Sequence, residues 1–155
     1  MVVTIRIWKY PDSYLVINGQ KVGPGSYQVG KGDTVQFMIN AKNHGTAGYA
    51  WLGIRNVDTG EILKWKSFNV GDGQIFYYSD AIVVDKNMNL ALVGGQLTNE
   101  GRIIQDTYGT WSLTVKETAP PAPPEEKKGL LGLPWYVWLL LLIGLGFILY
   151  RQRSE

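Results

Sequence analysis

His44 is the single histidine of this sequence and cysteine is absent, so a transition-metal site would lack the second imidazole or thiolate it needs. It falls in Asn43-His44-Gly45, residue types that favour a turn, which is its expected role. No GxSxG, HExxH or phosphate-cradling glycine loop occurs, so no nucleophile, zinc-bound base or nucleotide site is announced. Asp72, Asp80, Asp85 and Asp106 lie in or beside turn-forming clusters, and none stands in a DxDxDG calcium loop. Solvated turn carboxylates are the expectation; the alternative is calcium held by distant turns that meet at one end of a sandwich. These residues predict a protein that is not an enzyme, with no catalytic residue, cofactor or metal.

Recognition by aromatic side chains is the chemistry in better supply. Trp8, Trp51, Trp65, Trp111, Tyr77 and Tyr78 are large rings of the kind that form platforms for sugars or protein partners. Trp51 and Trp111 sit in regular apolar alternation and are expected in the core. Trp65 lies between Lys64 and Lys66, and the period of two along a strand puts its ring on the opposite face, which predicts burial. Tyr77 and Tyr78 must point to opposite faces, so one is expected outside. Tyr77, Tyr78 and Trp8 are the candidate binding surface.

Positioning these rings falls to β-strands. Before the C-terminal region no helical periodicity occurs; short runs rich in Val, Ile, Tyr, Trp and Thr alternate with period two between Gly, Asn and Asp clusters. Val3, Ile5 and Ile7 share one face of the first run. Tyr14 to Ile17 and Gln20 to Val22 flank Asn18-Gly19, the dipeptide that best accepts positive φ at both centres of a type I′ turn. Thr34 to Ala41 aims Val35, Phe37, Ile39 and Ala41 one way, the first choice for the core. Further runs cover Tyr27 to Val29, Gly48 to Val57, Glu61 to Phe68, Gln74 to Val84, Leu90 to Thr98, Arg102 to Gln105 and Trp111 to Lys116, the last two separated by a turn at Thr107 to Gly109. Eight to ten strands at this spacing predict an all-β antiparallel sandwich rather than a barrel.

Two stretches carry a family resemblance. Gly32-Asp33-Thr34-Val35 running to Asn43-His44-Gly45 resembles the GDTV...N-x-G strand and turn of immunoglobulin-like sandwiches, notably the CARDB-type domains of archaeal and bacterial surface proteins. Gly109-Thr110-Trp111-Ser112-Leu113-Thr114-Val115 is similar to their final G-T-x-x-L-x-V strand. The resemblance implies an immunoglobulin-like fold. It implies little about function, because such sandwiches serve adhesion, spacing, carbohydrate binding and virion structure alike. The chain departs from the family in its single copy, its extra front hairpin and its lack of an export signal.

Leu130 to Tyr150 (LLGLPWYVWLLLLIGLGFILY) holds no charge and is bounded by Lys127 and Lys128 before it and Arg151 and Arg153 after it. A run of roughly 20 apolar residues is what a helix needs to cross a bilayer, so 130–150 is read as a single transmembrane helix. Trp135, Tyr136, Trp138 and Tyr150 are placed as rings at the two membrane interfaces. The absence of charge within the run argues against a channel or proton relay. Residues 117–129, with Pro120, Pro121, Pro123 and Pro124, read as a Pro-rich stalk. The predicted organisation is a β domain over 1–116, the stalk, the helix and a short basic tail over 151–155.

A net charge of +2 without a basic block gives no support for nucleic-acid binding. Met1 to Arg6 lacks the apolar core of a signal peptide, so insertion after synthesis is expected. The flanking charges are balanced and do not orient the helix. The expected role is structural or adhesive, at a cell envelope or on a virion membrane, with lipid and protein partners; a membrane-tethered carbohydrate-binding module, with a glycan as partner, is the alternative.

Overall fold

A computed structural model describes residues 2–117, 121–124 and 135–152. The chain divides into two compact units, Met1–Thr118 and Ala119–Glu155. In the first, ten strands follow in order: β1 (Ile5–Ile7), β2 (Tyr14–Ile17), β3 (Gln20–Val22), β4 (Gly25–Gly30), β5 (Asp33–Asn43), β6 (Gly48–Asn56), β7 (Ile62–Val70), β8 (Ile75–Val84), β9 (Met88–Thr98) and β10 (Gly101–Lys116). The first sheet has the order β1-β5-β2-β3 with β8 on β5, and the second runs β4-β10-β9-β6-β7. The fold is all-β.

One core joins the inner faces of both sheets. Val35, Phe37, Ile39 and Ala41 of β5 are buried as their alternation predicts, and they share a cluster with Leu52 and Ile54 of β6, Leu90 and Leu92 of β9, and Trp111 and Leu113 of β10. Val3, Ile5 and Ile7 join it from the N-terminal segment. Burial of such side chains, at ~1.5–3 kcal/mol each, is the main force holding the sheets together. The β2–β3 hairpin turns at Asn18 (φ 51°) and Gly19 (φ 75°), the type I′ geometry their sequence demands.

Three expectations are corrected. The sandwich is not wholly antiparallel: leaving the β2–β3 hairpin through Gly23-Pro24-Gly25, the chain lays β4 beside β10 in the same direction, Trp111 opposite Gly25 and Lys116 opposite Gly30. Thr107 to Gly109 is not a turn. β10 runs unbroken from Gly101 to Lys116 and absorbs the irregular residues as bulges between Ile104 and Asp106 and between Tyr108 and Trp111, with Gly109 at φ 73°. Asp80 and Asp106 are therefore strand residues, in β8 and β10, and not turn carboxylates.

The first bulge has a structural use. It turns Gln105 and Asp106 toward β1, whose amides would otherwise lie unpaired on the side away from β5. Ile5 N–H donates to Gln105 Oε1 at 2.9 Å, Ile7 N–H to Asp106 Oδ2 at 2.8 Å and Tyr10 N–H to the Tyr108 hydroxyl at 2.8 Å. Side chains of one sheet thus complete the backbone hydrogen bonding of the other. At the far end of β1 the buried Asn43 accepts from Thr4 N–H (3.0 Å) and Gly45 N–H (2.9 Å) through Oδ1. Its Nδ2 donates to Thr46 O and Gly71 O, each at 2.9 Å.

The second unit contains α1 (Trp135–Gln152), whose side chains are described over 135–146. Leu139 to Ile143 and Leu145 are each at least half exposed. Among the described residues no helix is long and apolar enough to cross a membrane. Residues 118–120 and 125–129 of the expected stalk, 130–134 of the expected span, the Tyr150 side chain and tail residues 153–155 lie outside the described residues.

Candidate binding surfaces

His44 is exposed in its turn, where its backbone N–H donates to Thr4 O at 2.7 Å. Among the described residues no group of three His, Cys, Asp or Glu side chains is placed to hold a metal. Asp72 and Asp85 are exposed, whereas Asp106 is occupied by Ile7 N–H and faces Arg6 at 4.0 Å.

Tyr78 and Asp80, two residues apart in β8, form a hydrogen-bonded titratable pair. The Tyr78 ring is buried edge-on against Phe37, centroids 5.3 Å apart, and its hydroxyl donates to Asp80 Oδ2 at 2.8 Å. Burial first, and the Asp80 carboxylate second, push the phenol far above its ordinary value. The Tyr78 hydroxyl, then the Ala81 N–H, hold the Asp80 carboxyl below its ordinary value, with Lys64 at 3.9 Å adding a smaller pull. The proton stays on the phenol across the neutral range, and the hydrogen bond ties two positions of β8 together. Tyr78 accordingly leaves the candidate binding surface.

Tyr77 belongs to it. The ring is 65% exposed on the outer face of the first sheet, opposite Asn40 of β5. Around it a shallow groove of about 420 Å³ is lined by Pro11, Asp12, Tyr14, Lys21, Met38 and Asn40. The β2–β5 register brings Tyr14 next to Met38, and Lys21 Nζ sits 4.1 Å from the centre of the Tyr14 ring. Asn40 is held from both sides: Nδ2 donates to Asp12 O, and its backbone N–H donates to Ser13 Oγ at 3.0 Å. Trp8 continues the outward parity of Arg6 and donates its own N–H to Asn40 O at 2.8 Å. Tyr77 and Trp8 therefore flank Asn40 on this face. Tyr14, Lys21 and Asn40 are the members sequence reasoning missed, because only strand register reveals their proximity.

The second sheet has an aromatic outer face of its own. Along β6, Ala50, Leu52 and Ile54 enter the core, so Tyr49, Trp51, Gly53 and Arg55 point outward. Trp51 stands opposite Gly95 of β9, and its Nε1–H donates across that glycine to Ile103 O at 3.2 Å. Trp65 stands opposite Gly53. The Arg102 guanidinium lies 4.5 Å from the Trp65 ring centre and 5.8 Å from that of Trp51. Trp51 is buried as expected, but on the outer face and not in the core between the sheets.

Trp65 is 43% exposed, contrary to the burial its neighbours predict. Its parity opposite Lys64 and Lys66 is correct, but β7 is an edge strand. The lysines take the inward parity there and still reach polar surroundings, Lys64 meeting Asp80 of β8, which leaves the indole on the outer face. Glycines in strand interiors, Gly53 and Gly95, are the sequence signal that marks where these rings lie across the sheet.

No protein-family profile matches the chain. No curated protein matches it. Among solved structures it is similar to a β-glucosidase from Erythrobacter marinus, with 10% identity and a TM-score of 0.43 over 72% of this chain and 16% of that one. It is also similar to the C-terminal domain of wzt, with 14% identity and a TM-score of 0.42 over 74% of this chain and 80% of that domain. The chain thus spans about a sixth of the glucosidase.

Proposed function

We propose that this chain is a membrane-tethered, non-enzymatic module of the immunoglobulin-like, CARDB-type class, with a structural or adhesive role at a cell envelope or virion membrane. The observation that carries the reading is α1, where Leu139 to Ile143 and Leu145 stand exposed in succession and so cover every side of the helix. Five consecutive helical residues turn through more than a full circle, so the apolar side chains are not confined to one face of the helix. The uncharged run Leu130 to Tyr150 around them has the length of a bilayer span, and Trp135 and Tyr136 at its start suit an interface. The β domain has its own core, and on this reading its outer faces are the working surfaces. Extraction of host membranes with alkaline carbonate tests the tether: the chain is expected in the pellet, and release into the supernatant would exclude a spanning helix. Protease shaving of intact cells or particles then gives the side on which the β domain stands.

A carbohydrate-binding role on the same tether is the second reading, favoured by the Tyr77 groove. An exposed ring beside the amide of Asn40 and the carboxylate of Asp12 offers one apolar face and several polar groups to a sugar.

A further inference from the structure

We propose that the outer face of the second sheet binds an acidic saccharide, with the Trp65 indole stacking on a sugar ring and Arg102 and Arg55 taking its carboxylate or sulfate. The proposal deepens the carbohydrate-binding reading and rests on it, but it names a different face from the Tyr77 groove.

Three observations carry it. Trp51, Ala91 and Val93 are almost inaccessible although they lie outside the core between the sheets, so a second apolar layer exists on the outer face. Trp65 and Arg102 form its upper side, and there the indole remains partly open. The indole, opposite Gly53 and 43% exposed, offers an apolar surface of the size of a pyranose ring beside the Arg102 guanidinium.

The arginines beside that ring are outside the ion pairs of the β domain. The ion pairs among the described residues are Arg6 with Asp106 and Lys64 with Asp80, so neither Arg55 nor Arg102 has a carboxylate partner. Glu100 is the nearest acid along the chain to Arg102, in the exposed β9–β10 turn, and it is unpaired with it. Unpaired guanidinium groups beside an aromatic ring favour a planar anion that accepts two parallel hydrogen bonds.

Arg55 adds the most specific observation. Its Nε is buried and has no hydrogen-bond partner, whereas buried donors are almost always satisfied. Arg55 sits two residues along β6 from Gly53, the residue opposite Trp65, so its side chain is a diagonal neighbour of the indole on the same face. Such neighbours are separated by ~7–8 Å, within reach of one ligand. An acceptor arriving on this face would meet the Arg55 guanidinium on one side of the indole and the Arg102 guanidinium on the other.

The test uses the full chain in nanodiscs of neutral phosphatidylcholine, titrated calorimetrically with oligogalacturonate, a heparin oligosaccharide and a neutral glucan oligomer. Binding of one or both acidic probes is expected, weakened at least tenfold by Trp65→Ala, by Arg102→Ala and by Arg55→Gln, and unchanged by Lys86→Ala. Oligogalacturonate binding alone identifies a carboxylate as the recognised group, and heparin binding alone a sulfate. Far-ultraviolet circular dichroism and a thermal melt check that each variant keeps its fold, and Arg102→Lys, which retains the charge, is expected to recover only part of the affinity. Glucan binding that depends on Tyr77 while the acidic probes fail would overturn this proposal and leave the carbohydrate-binding reading standing. Failure of all three probes would overturn both. Acidic-probe binding indifferent to Trp65, Arg55 and Arg102, or association only with anionic lipid vesicles, would also refute it.

Discussion

Ile7 and Asp106 are 99 residues apart in the chain and are joined by a 2.8 Å hydrogen bond from the Ile7 amide to the Asp106 carboxylate. With Gln105 alongside, this contact ties the short β1 to the other sheet and covers the amides on its open side. Bonds from a backbone donor to a charged acceptor are worth ~1.5–3 kcal/mol, more than a neutral pair.

Asp106→Ala is expected to lower the unfolding free energy by about 2 kcal/mol, and Gln105→Ala by ~1–3 kcal/mol because it strands both Ile5 N–H and Val3 O. Urea unfolding of each variant in detergent, followed by tryptophan fluorescence, gives the values. Hydrogen exchange should accelerate at Ile5 and Ile7 in both; unchanged exchange there would mean that β1 is held by its β5 ladder alone.

Gly95→Ala should be more damaging than Trp51→Phe. A Cβ at position 95 would stand 1.9 Å from Ile103 O, a backbone atom fixed by the β10 bulge, so relief requires moving the strand at a cost of about 3 kcal/mol or more. Trp51→Phe loses the indole hydrogen bond to Ile103 O and some packing, at about 1–2 kcal/mol. Thermal melts of both variants rank the two effects, and the reverse order would show that the ring, not the bulge, holds this face.

The pH dependence follows from Tyr78 and Asp80. The folded phenol has a raised pKa, so its stabilising effect is complete below the unfolded value of ~10 and is lost as the pH climbs beyond it, because only the unfolded chain ionises there. The folded Asp80 pKa is lowered, so its contribution is present above the ordinary carboxylate value near 3.8 and disappears as the pH falls through the folded value. Tyr78→Phe should therefore flatten stability loss on both limbs in chemical denaturation at pH 3 to 11. A wild-type profile superimposable on that of Tyr78→Phe would show that the hydrogen bond contributes nothing.

Much of the fold was legible because period-two alternation records which face a strand buries. Val35, Phe37, Ile39 and Ala41, and the Asn18-Gly19 turn, could be read directly for that reason. That one of Tyr77 and Tyr78 is exposed followed from parity; which one did not, and the structure exposes Tyr77. Parity cannot say whether a strand lies at an edge, and Trp65 was misjudged on that point. Nor can local sequence foretell a bulge, so Thr107 to Gly109 read as a turn where β10 continues. The parallel β4–β10 ladder joins segments about 85 residues apart and leaves no local signature. The arginines flanking Trp65 were silent for the same reason, since Arg55, Trp65 and Arg102 come from three different strands.

Flotation of the full chain with neutral phosphatidylcholine liposomes, beside a chain ending at residue 117, tests the tether most directly. The full chain is expected to rise with the lipid and to stay there in 1 M salt, where electrostatic adsorption is screened to a Debye length of about 3 Å, while the shortened chain remains at the bottom. Flotation of both alike, or of neither, would contradict a β domain tethered through its C-terminal helix.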